Sequence, residues 1–374
     1  SKAAELASLI GNINAGGGDN FIINGGMTVS QRGTSFTNPS SNAYCLDRYA
    51  IQWAGISPQF TVSQDTSTPD GEGFYKSLKI ATSNTQTPSS GQGAYMYQKV
   101  EGNSISSVML GTSNAKRLVL SFYVKSSKTG TYSVGFHNNG FDRNLVSEYT
   151  ISSANTWEKK TIRFVGDTSG TWTTDTSIGI GVYFHLSNGD GSNTTSTLDS
   201  WQSGNNYLGS QNQVNLWDSS SATWQITGVQ LEIGQNPTEF EHEKFSQTLE
   251  KCSRYYQKTK AASDTYKHFG LWFCAADTGG GGTGYGTVAV PLVTTMRTVP
   301  SLETTGTVSN YAIVAKNTNY ALTTFSVDTG IDDGTINGQF YLNAYSGGGM
   351  GVGTAGAVRA NNTADAFVAL DAEL

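Results

Sequence analysis

Apolar side chains recur at every second position through most of this chain. Leu118, Leu120, Phe122 and Val124 alternate with Ser121, Tyr123 and Lys125, and Tyr132, Val134 and Phe136 resume the alternation after the SKTG turn at 127–130. The cleanest run is Ile178, Ile180, Val182, Phe184 and Leu186, with Gly179, Gly181, Tyr183 and His185 on the opposite side. A period of two is that of a half-buried strand. SSGQG at 89–93, GDTSGTW at 166–172 and SNGDGSNTTST at 187–197 read as the loops between such strands. Short alternating strands without helical spacers predict an antiparallel sandwich rather than βαβ units. From 260 onward the alternation returns in Val288, Val290 and Leu292, then in YAIVA at 311–315, YALTTFSV at 320–327, QFYLNAY at 339–345 and AFVAL at 366–370. Pro291 demotes the first of these runs to an edge strand or bulge. No fixed-period repeat is present, which argues against a β-helix.

The pattern changes at two places. In the closing strand near 224–233, Trp224 and Ile226 point one way, while Val229, Leu231 and Ile233 continue one residue out of phase. Gly228 sits at the phase change and predicts a β-bulge. Past Gly234, Asn236 and Pro237 the apolar spacing becomes that of a helix, with Phe245, Leu249, Cys252 and Tyr256 on one stripe. At the other end AAELASLI at 3–10 forms a two-turn helix with Ala3, Leu6 and Ile10 on one side, too short to persist alone. The reading is therefore an all-β chain of two antiparallel, jelly-roll-like β-sandwich domains. It has an N-terminal helix and linker at 1–19, a first sandwich at 20–242, a connecting helix at 243–259 and a C-terminal sandwich, a candidate distal tip, at 260–374.

Length supports two cores: 374 residues exceed what one hydrophobic core usually holds. Only 14% of residues are charged, but 16 Phe, 18 Tyr and 7 Trp argue for packed interiors rather than disorder. A net charge of −6 and no Lys/Arg cluster longer than a pair remove the footprint of a nucleic-acid binder. No apolar run reaches about 18 residues, so no membrane insertion is expected. The sequence begins with Ser1, which suggests processing or a fragment with an upstream anchoring part. Cys45, Cys252 and Cys274 are odd in number with no metal-type spacing, and are expected to be buried free thiols.

Three blocks carry a family resemblance: NFIINGGMTVSQRGTSF at 20–36, YCLDRYAIQW at 44–53, and ITGVQLEIGQNPTEFEHEKFSQTLEKCSRYY at 226–256. They resemble phage tail fibres and related virion appendages, whose pattern reads N-x-x-x-N-G, then Q-R-G-T and L-D-R-W. Tyr49 stands where that family more often has tryptophan. LVLSFYVKSSKTGTYSVGF at 118–136 looks like the core strands of a carbohydrate-binding-module-like jelly roll. The resemblance implies a non-enzymatic tail fibre protein of the virion that mediates host attachment by binding a surface polysaccharide or lipopolysaccharide. It also implies other tail proteins as partners and a homotrimer, with Leu6, Ile10, Phe245, Leu249, Cys252 and Tyr256 as interface candidates. The alternatives are a capsid-decorating or tail-scaffold fibre without a receptor role, and a polysaccharide depolymerase.

The candidate chemistry is sparse. His137, His185, His242 and His268 lie far apart, and no HExxH or GxSxG occurs. Glu239, Glu241 and Glu243 surround His242, and paired carboxylates serve glycoside hydrolysis, but they precede a helix whose dipole favours negative charge. GVGTAG at 351–356 and GGGGTGYG at 279–286 lack the βαβ context of a phosphate loop and read as loop tips. Sugars are held by aromatic faces with amides beside them. Trp172, Trp201, Tyr207 and Trp217, with Asn205 and Asn206, supply that chemistry in polar surroundings, each aromatic being either a lid on the sandwich or an exposed platform. No cofactor or catalytic metal is expected. Asp190 and Asp199 are candidates for a structural calcium ion of the kind such jelly rolls hold.

Overall fold

The computed structural model describes residues 19–189, 191, 193–204, 209–261, 265–277, 284–315, 317–327, 339–346 and 354–374. The chain divides into two compact units, Ser1–Thr248 with Leu374, and Leu249–Glu373. In the first unit the strands are β1 (Ser35–Thr37), β2 (Ala43–Tyr44), β3 (Ala50–Ala54), β4 (Phe60–Asp65), β5 (Ser77–Thr82), β6 (Gly93–Glu101), β7 (Leu118–Ser126) and β8 (Gly130–His137). They continue with β9 (Arg143–Ile151), β10 (Glu158–Phe164), β11 (Ile178–Asn188), β12 (Thr194–Thr195), β13 (Gln202–Ser203), β14 (Gly209–Ser210) and β15 (Thr223–Ile233). A six-stranded sheet runs β1-β4-β5-β15-β7-β10 and a seven-stranded sheet β13-β9-β8-β11-β6-β3-β2. Every pairing within these two sheets is antiparallel, as the alternation predicts. Their inward faces form one core: Leu118, Leu120, Phe122 and Val124 of β7, and Ile180, Val182, Phe184 and Leu186 of β11, are all buried in it. Burying each such side chain contributes roughly 1.5–3 kcal/mol.

The bulge stands where the phase change puts it. Gly228 has φ +63°, and the β15–β7 register slips between Thr227 and Gln230. A Cβ at Gly228 would lie 2.6 Å from the Phe74 ring, so glycine is required twice over.

The blocks that carry the family resemblance prove to be architectural. Asn20 accepts the Leu231 and Ile22 N–H groups on Oδ1 and donates from Nδ2 to the Val229 carbonyl. Asn24, buried at φ +60°, donates to the Val29 and Asp47 carbonyls and accepts the Val29 N–H. Gln31 is held by both oxygens of Asp47, and Arg48 donates to the Lys99 carbonyl. Glu232 accepts the Thr238 N–H and hydroxyl, which folds the TEFEH segment back onto β15. A Cβ at Gly25 would sit 2.1 Å from the Val229 carbonyl oxygen. The motif spells out how the start of the chain is laced to its closing strand. It says nothing of a ligand.

The second unit is also antiparallel β, but its arrangement differs from two open sheets. Strands β17 (His268–Asp277), β18 (Gly284–Pro291), β20 (Tyr311–Ala315), β21 (Thr318–Val327), β22 (Gln339–Ser346) and β23 (Ala355–Ala360) close into a barrel in the order β17-β18-β22-β21-β20-β23. Closure removes the exposed edges that a six-stranded open sheet would leave. Strands β16 (Tyr256–Lys260), β24 (Phe367–Asp371) and β19 (Ser301–Thr304) make a separate three-stranded sheet. Pro291 does not make its strand an edge: β18 pairs with both β17 and β22, and the proline stands at its last residue, where the missing N–H costs least.

The connecting helix is shorter than its apolar stripe suggests, spanning Phe245–Ser253. Tyr256 begins strand β16 opposite Asp371 and is buried, as is Cys252. These two leave the interface candidates because their side chains are already covered within one chain. Phe245 is 53% exposed and Leu249 half-buried. Leu6 and Ile10 lie outside the described residues. Cys45 and Cys252 are buried thiols outside any disulfide, and burial pushes the Cys45 thiol up to about 12. The side chain of Cys274 lies outside the described residues.

Candidate functional site

At one end of the sandwich two loops are laced together into a walled depression. The β6–β7 connection starts as a helical turn, Gly102–Ile105, and continues as a 3-10 turn, Ser106–Val108, before Met109 reverses it at φ +58°. The β10–β11 connection runs alongside. Gly102 N–H donates to the Ser177 carbonyl, Asn103 N–H to that of Asp175, and Gly111 N–H to that of Asp167. This approach depends on glycine. A Cβ on Gly102 would fall 2.3 Å from the Thr173 carbonyl oxygen, and one on Gly179 would fall 2.6 Å from Gly102 Cα.

The β10–β11 loop is pinned from behind. Arg143 grips Asp167 with two bonds, Nε to Oδ2 at 2.6 Å and Nη2 to Oδ1 at 2.8 Å. The same pair holds the Arg143 guanidinium above the usual arginine range through the Asp167 hydrogen bond. Asn138 Nδ2 donates to the Thr171 carbonyl and to Asp142. Two charge-assisted bonds in a fixed fork fix geometry as well as energy. The loop therefore offers Trp172 at a set angle.

Trp172 and Trp201, both picked out by their polar surroundings, are brought together. Their rings meet edge to face at 5.2 Å and 85°, and Trp201 in turn meets Phe164 at 6.1 Å. Trp201 Nε1 donates to the Val165 carbonyl at 2.7 Å and Trp172 Nε1 to that of Ser169 at 3.0 Å. Both rings pack against the core while remaining half-buried. Trp201 acts as a lid on the core, while Trp172 is one wall of a cavity of about 210 Å³, which Ile105, Ser106, Met109, Leu110, Thr112, Thr173, Thr174 and Gly179 complete. Three of its hydroxyl protons are committed to backbone carbonyls: Ser106 to Asn103, Thr112 to Met109 and Thr173 to Ile178. Thr112 Oγ1 already accepts the Asn114 N–H, so Ser106 and Thr173 offer the freer acceptor oxygens. No residue of this lining carries a charge. An indole wall with fixed hydroxyl acceptors suits an uncharged, hydroxyl-rich ligand with an apolar C–H face.

Trp217 does not belong to this site. It is fully buried, in a 3-10 turn, Leu216–Asp218, whose start is capped by the Asn215 side chain, and its ring meets Phe60 edge-on at 5.5 Å. Its polar neighbours in sequence are the cap and turn residues of a plug in the core, so polarity around an aromatic misleads here. Asn205, Asn206 and Tyr207 lie outside the described residues, as do Asp190 and the glycine-rich stretches at 279–283 and 347–353. Asp199 accepts the Ser147 hydroxyl at 2.6 Å, and among the described residues no group of three His, Cys, Asp or Glu is placed to hold a metal ion. Glu241 accepts the Asn20 N–H and Glu243 the Thr248 hydroxyl, so both serve the local architecture.

A second cluster was half-legible in the sequence. The non-core side of β11 carries Tyr183 and His185. In three dimensions Tyr183 stacks on Tyr97 at 5.3 Å and meets His137 edge-on at 5.0 Å, while Tyr95 packs on His185 at 5.2 Å. Tyr95, Tyr97 and Tyr183 are buried, and burial, with His185 nearby, lowers the His137 pKa to about 3. A neutral, enclosed imidazole is packing, not an acid or base. The 102–112 wall of the cavity was missed altogether; its sequence signal is the set Gly102, Gly111, Gly170 and Gly179, each at a close approach to another segment.

No protein-family model and no curated protein matches the chain. Among solved structures, a bacteriophage CBA120 tailspike protein 4 enzymatically active domain is 14% identical at a TM-score of 0.30, over 58% of this chain and 21% of that one. The chain thus spans about a fifth of that domain's length. A family 61 carbohydrate-binding module in complex with β-1,4-galactotriose is 10% identical at TM-score 0.30, covering 57% of this chain and 98% of that one. A family 11 module from Clostridium thermocellum, in complex with a β-1,3-1,4-mixed-linked tetrasaccharide, is 12% identical at TM-score 0.29 over 55% and 98%. These distant likenesses assign no ligand to this chain.

Proposed function

We propose that the chain is a non-enzymatic, glycan-binding component of a phage tail fibre, with the Trp172 cavity as its sugar site. The observation that carries the reading is an indole wall on a pinned loop, facing hydroxyl acceptors in an uncharged depression. The tail-fibre part rests on the resemblance carried by the three motif blocks. A depolymerase is disfavoured because glycoside hydrolysis needs two facing carboxylates and this lining supplies none. A single shallow sugar site binds weakly, so attachment of this kind works through linked copies. A homotrimer is part of the proposal, with exposed Phe245 and half-buried Leu249 as the remaining contact candidates.

Glycan-array binding of the wild type, Trp172→Ala and Trp172→Phe tests the site. Neutral glycans are expected to be retained by the wild type, weakened by Phe and lost with Ala. Equal retention by all three variants overturns the assignment. Immunogold labelling of virions separates a tail position from a capsid-decorating one, and native mass measurement at micromolar concentration tests the trimer.

A further inference from the structure

The outward face of the six-stranded sheet carries a row of donors with too few acceptors. Cross-strand register places Lys79, Gln225 and Lys125 side by side on β5, β15 and β7. Neighbouring strands lie about 4.8 Å apart, so the two lysines flank the amide at about 10 Å from one another. Gln225 is 4% exposed, and its Nε2 has no hydrogen-bond partner. The Lys125 ammonium lies 5.1 Å over the Trp157 ring and donates to Ser67 Oγ at 2.6 Å, with no carboxylate among its described partners. Trp157 Nε1 is likewise buried and unpartnered. Among the described residues, the carboxylate beside this row is Asp65, which accepts the Ser67 N–H and sits 3.5 Å from Lys79. Burial first, and Lys79 in addition, hold Lys125 below the usual lysine range, against the pull of Asp65. One row further on, Lys159 lies over the Tyr123 ring, and Glu72 hydrogen-bonds that tyrosine.

Two ammonium groups against one carboxylate leave a net positive charge, and a buried amide N–H without an acceptor is a cost the fold does not relieve internally. An oxyanion relieves both at once, because its several oxygens accept from the amide and from both lysines.

We infer that this face is a second binding site, separate from the Trp172 cavity, for an anionic group (carboxylate, sulfate ester or phosphate) carried on a polysaccharide and seated between Lys79 and Lys125 above Gln225. The chain's overall charge of −6 makes a cationic face of this kind a local feature rather than a by-product of composition.

Calorimetric titration of the full chain with sodium sulfate, against sodium chloride at matched ionic strength, tests the anion site. Affinity electrophoresis through polygalacturonate and through dextran tests its source. Saturable sulfate binding is expected, with retardation in polygalacturonate but not in dextran. Lys125→Met and Gln225→Leu, checked for folding by circular dichroism, should each weaken sulfate binding at least ten-fold. Trp172→Ala should leave it unchanged, which keeps this result independent of the sugar site. No heat beyond the chloride control, or undiminished binding by folded Lys125→Met, overturns the site. Sulfate binding without retardation in polygalacturonate overturns its polysaccharide assignment.

Discussion

Acid should destabilise the first unit through one histidine. His137 ends β8, is fully buried, and has neither ring nitrogen hydrogen-bonded among the described residues. Its ring packs between Phe141 at 5.3 Å and the edge of Tyr183 at 5.0 Å. In the folded chain it stays neutral down to about 3, whereas unfolded it titrates near the ordinary 6.5. Between those values the unfolded state holds the extra proton, so stability falls as pH falls through that window and levels off below it. At 1.36 kcal/mol per pH unit the loss from this group is about 3 kcal/mol between pH 7 and pH 4. His137→Phe keeps the ring shape and removes both unpaired nitrogens, so at pH 7 it should be stabilising by about 1 kcal/mol. Urea unfolding at pH 7, 5.5 and 4, followed through buried Trp217 and Trp224, gives the test. The gap between variant and wild type should widen by about 3 kcal/mol towards pH 4, with effects of His185 and the carboxylates cancelling in the difference. Parallel pH profiles for the two proteins would refute a buried neutral His137.

Three further outcomes follow from the packing. Trp201→Ala should lose about 2–3 kcal/mol in chemical denaturation, less than the full cost of a buried tryptophan because the ring is half-exposed; Trp172→Ala should stay within about 1 kcal/mol of wild type. Gly25→Ala should lower the thermal midpoint sharply, by roughly 2 kcal/mol or more, since its new methyl meets the Val229 carbonyl. Asp167→Asn should strip the Arg143 fork of its charge partner, costing about 2 kcal/mol, and should speed hydrogen exchange across 166–172, as mass spectrometry would show.

Period-two alternation was enough to determine an all-β chain, because a strand with one face in a core must repeat every second residue whatever its neighbours are. It also located the Gly228 bulge, since a register slip has to appear as a phase change. The helix boundary was less secure: the Phe245, Leu249, Cys252 and Tyr256 spacing satisfies a helical stripe, but only strand pairing with Asp371 shows that Tyr256 has left the helix. Alternation likewise cannot distinguish an open sheet from a closed barrel, because both bury one face; closure depends on β17 finding β23 some eighty residues away. The site divides the same way. Trp172 and Trp201 were visible as large aromatics in polar loops, and so, misleadingly, was Trp217, whose polar neighbours turn out to cap a buried turn. What only the tertiary structure decided was the partner wall at 102–112 and the donor row of Lys79, Gln225 and Lys125. Both join segments distant in the chain, and contact between distant segments is set by sheet order and register, which no local pattern encodes.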